Sequence, residues 1–161
     1  MGRIITLLLI LIINLPFSLQ AKNKTFKVIA QDIEYAFYKK EKLVWKFKAS
    51  VFKERSDNIC EAIKIIIINL QKNLKIIADK GFYNRKKDKF LLIGKVHLFT
   101  QKFGEVFTDE LIYFPKQGLI ITDKKVLVKK KGLIAKGKGL IYKIDTGDFQ
   151  IKEKPRIKFS L

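Results

Sequence analysis

One cysteine, one histidine, one tryptophan and three prolines occur among 161 residues, and only Arg3, Arg55, Arg85 and Arg156 are arginines. Each scarcity removes a class of function. The lone Cys60 excludes an intramolecular disulfide and reads as a small apolar residue. His97 has no second His and no Cys nearby, so a metal site is excluded. Its place between Val96 and Leu98 aims it away from their face. The carboxylate pair Asp109–Glu110 has no nucleophile beside it, and Asp145 and Asp148 flank a Thr-Gly turn that accounts for them. No acid/base pair or cofactor motif points to an enzyme. Acidic residues are scarce as well: 15 against 34 basic ones give a formal charge of +19, a field that favours an anionic partner. Lysine supplies nearly all of it. Base and phosphate forks use arginine, so nucleic acid is disfavoured, and anionic lipid or no partner at all is retained.

What is present begins with the leader. "MGRIITLLLILIINLPFSLQA", residues 1–21, has a basic start and an apolar run from Ile4 to Ile13 broken only by Thr6. The run falls short of the roughly 20 residues a spanning helix needs, yet Ile4–Leu19 reaches across a thinned bilayer. The segment is a signal peptide or a membrane-anchor helix, and both export residues 22–161 as one domain.

After residue 25 there is no helical period except a weak one in "SDNICEAIK". Ten β runs instead alternate apolar and basic residues, separated by the turn segments "RSDN", "NRKKDK", "PKQG" and "DTG". Ala49, Ala78, Thr108 and Gly137 recur at intervals of 29, 30 and 29 residues, each where an apolar–basic run turns into the next segment. The repeat unit is one long hairpin, and stacked hairpins make a long twisted sheet folded on itself. Gly137 and Gly139 suit a bulge or bend. "IKIIII" at 63–68 scarcely alternates, as in strands buried on both faces, yet no helices exist to cover an outer face. Two arrangements accommodate that surplus: a filled sandwich with a few exposed isoleucines, or an interior that holds something other than protein.

The segments "LVWKFKA" (43–49), "LLIGKVHLFT" (91–100) and "VFTDELIYFPKQGLIITDKKVLVKKKGLIAKGKGLIYKIDTGDFQI" (106–151) strongly resemble the LptC family. The order W-x-x-x-A, L-x-G-x-V, T-x-x-L-x-Y, I-x-T and G-x-G-L carries the resemblance, over residues 26–159. It implies an all-β fold, a twisted open β-jellyroll shared with LptA, following an N-terminal helix. It implies a non-enzymatic periplasmic part in lipopolysaccharide export, with no cofactor. It further implies that lipopolysaccharide passes from an inner-membrane ABC transporter through an apolar groove to an LptA-like bridge protein. The groove residues it suggests are Phe47, Ala49, Ala78, Val96, Leu98, Leu111, Tyr113, Val126, Ala135, Leu140 and Tyr142. Lys129–Lys131 is a solvated turn or part of a phosphate-facing rim. Ile157 and Phe159, on one face of a Pro155-containing last strand, mark the edge for the bridge protein. The leader's polar breaks depart from the family's anchor helix. A soluble LptA-like bridge subunit and a lipid-free structural β-protein of the envelope are the alternatives.

Overall fold

The computed structural model describes residues 25–159; the leader, and with it the choice between signal peptide and anchor, lies outside the described residues. Nine strands follow one another: β1 (Phe26–Lys39), β2 (Lys42–Arg55), β3 (Ile59–Asn69), β4 (Leu74–Asn84), β5 (Lys89–Thr100), β6 (Gly104–Phe114), β7 (Leu119–Lys130), β8 (Leu133–Lys143) and β9 (Phe149–Phe159). They form one antiparallel sheet in the order β1 to β9, each strand pairing with its sequence neighbours. The ten expected runs become nine strands because β1 is continuous through Asp32, which takes a left-handed φ of 47°. The weak helical candidate is not a helix: Ile59 opens β3, where Cys60 and Ala62 point inward on a two-residue period.

Nearly every strand is creased near its middle. The ladder is interrupted between Ile77 and Lys80, Ile93 and Val96, Phe107 and Ile112, Thr122 and Lys125, and Lys136 and Lys138. Of the repeat positions, Ala78, Thr108 and Gly137 sit at these interruptions, and Ala49 lies in the gap of the β2–β3 ladder between Lys48 and Val51. Gly137 is there because of a close approach: a Cβ would lie 2.4 Å from Ile151 Cγ2 and 2.9 Å from the Glu153 carbonyl. The crease folds each strand into two arms, so the sheet becomes two facing half-sheets. Contacts between rows far apart along the strands record the folding. Trp45 stacks on Tyr113 with centroids 6.0 Å apart, Phe103 stacks on Tyr142 at 4.7 Å, and the Tyr142 hydroxyl donates to Thr100 Oγ1 at 3.1 Å.

The inner faces form the core. Leu98, Val106 and Val128 from one half-sheet meet Leu92, Leu111, Tyr113, Ile120 and Leu140 from the other, all without solvent exposure. The isoleucine run divides by parity: Ile65 and Ile67 are buried inside, whereas Ile66 and Ile68 are half-buried outside. The surplus apolar residues thus lie on the outer faces in cross-strand rows. One row runs Ile66, Ile77, His97, Phe107, Leu127; the other runs Phe82, Leu91, Ile112, Ile121, Ile141. Neighbouring pairs in such rows support one another, and lysine stems lie over them, as Lys80 over Phe82 and Lys129 over Phe107.

Candidate functional site

The two half-sheets close on each other from β5 to β8 and gape over β1–β4. The gap is a cleft of about 860 Å³. Residue size explains where it opens. On the inner face of the second arm, β3 presents Cys60 and Ala62, whereas β5–β8 present Leu92, Leu111, Ile120 and Tyr142; at Gly81 on β4 the facing Ile65 closes in, and a Cβ there would lie 2.8 Å from its Cδ1. Small side chains leave space that large ones fill. The opposite wall is Trp45, Phe47, Ile65 and Ile67, and β1 adds Ile33, Tyr35 and Phe37 at the rim. Phe52, Tyr83 and Phe90 complete a lining that is overwhelmingly apolar and aromatic.

Polar groups are confined to the mouth, where turns from both half-sheets meet: Asn69, Gln71 and Lys72 on one side, Arg85, Asp88 and Lys116 on the other. Asp88 organises its side, accepting from the Tyr83 hydroxyl at 2.8 Å and from the Lys116 backbone N–H at 3.2 Å. Burial, reinforced by Asp88, pushes the Tyr83 hydroxyl up to about 12. Burial also pushes the Cys60 thiol up, which keeps it protonated and unreactive. The cleft ends at an aromatic stack, in which Phe90 lies 4.3 Å from Tyr83 and 6.1 Å from Tyr113.

Of the residues expected in a groove, Phe47 lines the cleft. Ala49, Ala78, Val96, Leu98, Leu111, Tyr113, Val126, Ala135, Leu140 and Tyr142 are buried in the packed interior beyond it, where the half-sheets touch. Their inward direction follows from alternation, but alternation does not report how far apart two facing arms stand. The aromatic rim of β1 and the small residues of β3–β4 were missed; the same parity that selected Phe47 would have selected Ile33, Tyr35 and Phe37 across the β1–β2 ladder. Ile157 and Phe159 stand exposed on β9, the last strand of the sheet. His97 lies on the outer face, stacked on Phe107 at 4.4 Å and 3.1 Å from Glu105. Among the described residues no group of three His, Cys, Asp or Glu side chains is placed to hold a metal.

These features define a class: an open β-jellyroll made from one creased meander, with a greasy cleft at one edge and free strands at both ends of the sheet. The chain belongs to the LptC-related lipopolysaccharide-assembly family, whose profile matches residues 4–159. Its family is that of the periplasmic lipopolysaccharide transport bridge. No curated protein matches it. Among solved structures it is similar to LptH of Pseudomonas aeruginosa, the LptA-homologous periplasmic component of the lipopolysaccharide transport device. The TM-score is 0.54 at 10% identity, over 86% of this chain and 95% of that one. At that identity the likeness is one of fold.

Proposed function

We propose that this protein receives lipopolysaccharide from an inner-membrane ABC transporter and passes it to an LptA-like bridge protein, holding acyl chains in the cleft between its half-sheets. The observation that carries this reading is the open apolar cleft of about 860 Å³ at the β1 edge. Each methylene moved from water into such a lining contributes about 0.8 kcal/mol. The residues deeper in the interior, from Val96 to Tyr142, line the path only when the half-sheets part. No chemistry is asked of the protein; a wall with a greasy inside suffices.

The two edges supply the connections. β1 and β9 each pair with a single neighbour, and an unpaired backbone row accepts a partner's strand. On this reading β1, beside the cleft, faces the transporter, and β9 faces the bridge protein. A photoreactive residue at Phe47 crosslinks to lipopolysaccharide in cells, whereas one at Leu127 on the outer face does not; equal labelling at both sites defeats the cleft assignment. Removing residues 153–161 abolishes capture of the bridge protein and spares binding to the transporter. Capture unchanged by the truncation moves that contact to another edge. A cleaved leader would make the chain a soluble bridge subunit, which N-terminal sequencing of the exported protein decides.

A further inference from the structure

A second cavity of about 240 Å³ adjoins the cleft, and Gln71 and Lys72 line both. It lies where the β3–β4, β5–β6 and β8–β9 turns converge, and Lys102 and Asp145 are among its walls. Two ammonium groups meet there on one acidic residue. Lys72 is paired with the Asp145 carboxylate, and Lys102 Nζ donates to the Asp145 backbone carbonyl at 2.7 Å. A carbonyl is neutral, so the Lys102 charge is met by no carboxylate among the described residues. The side-chain amides of Gln71, Asn73 and Gln101 add further donors to the walls. Two cations, three amides and one displaceable carboxylate suit an anion with several acceptor oxygens. The greasy cleft next door suits a tail.

We propose that this pocket is the head-group site for an anionic amphiphile, taking its phosphate group while an acyl chain occupies the cleft. The assignment rests on the lipid reading above and adds where the head sits. Lys72 and Lys102 come from turns at the end of one half-sheet and Asp145 from the end of the other. In the empty state Asp145 holds the lysines and closes the seam. The arriving phosphate takes its place, bridging both ammonium groups and releasing the seam.

The test titrates the full-length chain with dodecyl phosphate, with uncharged dodecyl maltoside and with inorganic phosphate. Dodecyl phosphate binds roughly tenfold more tightly than the maltoside, the scale of charge-assisted hydrogen bonds in a half-exposed pocket. Lys72→Gln and Lys102→Gln each remove about three- to tenfold of that affinity, and Lys102→Gln, outside the cleft, leaves maltoside binding unchanged. Asp145→Asn, which deletes the competing charge, raises it. Lys72→Gln and Asp145→Asn break the same ion pair, so a merely structural clasp shifts both variants in one direction, and that result overturns the proposal. So does equal binding of phosphate and maltoside by the native chain, which leaves the cleft reading intact. Inorganic phosphate binding as tightly as dodecyl phosphate overturns the head-group assignment, because the tail then contributes nothing. Failure of both amphiphiles to bind overturns the cleft reading together with this one.

Discussion

Tyr113 is fully buried, yet its hydroxyl completes no hydrogen bond; the Asn69 amide approaches without meeting bonding geometry. A buried donor without a partner bears its desolvation cost in full, about 1–3 kcal/mol. Tyr113→Phe keeps the ring that stacks on Trp45 and Phe90 and deletes that cost. The expected result is a melting temperature a few degrees higher; a fall would reveal a partner for the hydroxyl in solution. The same residue contributes to the loss of stability at alkaline pH. Burial pushes the Tyr113 hydroxyl up to about 12, and Tyr83 is raised to the same value. Between pH 10 and 12 the unfolded chain releases these protons while the folded chain keeps them, so stability falls as pH rises through that window. Below pH 10 both states hold the proton and the contribution is constant. Tyr113 supplies at most about 1.4 kcal/mol per pH unit, and the half-exposed Tyr83 less. Melts from pH 9 to 12 show the decline, and Tyr113→Phe removes the larger share. A profile that stays flat to pH 12 contradicts the burial of both rings.

At the scale of strands, period and punctuation carry nearly all of the fold. Alternation gives the inward set, the polar turns give the hairpins, and the 29- to 30-residue spacing of Ala78, Thr108 and Gly137, with Ala49 in the gap of the β2–β3 ladder, marks the crease that folds the sheet in two. The location of the cleft was not legible in the same way. It depends on the small Cys60 and Ala62 lining the same cleft as Trp45 and Phe47. Which residues face each other across two arms is set by the crease, not by neighbours along the chain. The destination of the apolar surplus stayed open in the sequence for a related reason. A row such as Phe82, Leu91, Ile112, Ile121 and Ile141 is satisfied by its own cross-strand neighbours on the outer face, and only the register shows this. The small-residue account of the cleft has a direct consequence. Ala62→Leu puts three more carbons into empty space beside Phe52 and Ile65. The variant melts at or above the native temperature, since filling an apolar void adds contacts without displacing any. On the lipid reading it also loses crosslinking at Phe47. Intact crosslinking would place the acyl chain elsewhere, and a lower melting temperature would show that the walls already touch.

For the molecule as a whole, the open and closed ends pose one physical problem: a lipid held over β1–β4 must cross a packed interior to reach β9. Leu98, Val106, Val128, Leu111 and Leu140 leave no channel between the half-sheets. Parting the arms in water exposes that surface, at about 25 cal/mol for each Å². Parting them around an acyl chain exchanges protein–protein contacts for protein–lipid contacts of similar strength, so the cost is largely offset when lipid enters. The cleft then acts as the starting wedge, and the seam joined by Lys72 and Asp145 has to yield. Stapling that seam tests the passage. In a Cys60→Ser background, Lys72→Cys and Asp145→Cys are joined by a flexible bis-maleimide. Photoreactive residues are placed at Phe47, in the cleft, and at Ile151, against the core on β9. Without the linker, lipopolysaccharide labels both positions. With it, labelling at Phe47 persists and labelling at Ile151 is lost, because the tail enters but the arms beyond it stay shut. Equal labelling at Ile151 with and without the staple would mean that lipid reaches the last strand without separating the half-sheets.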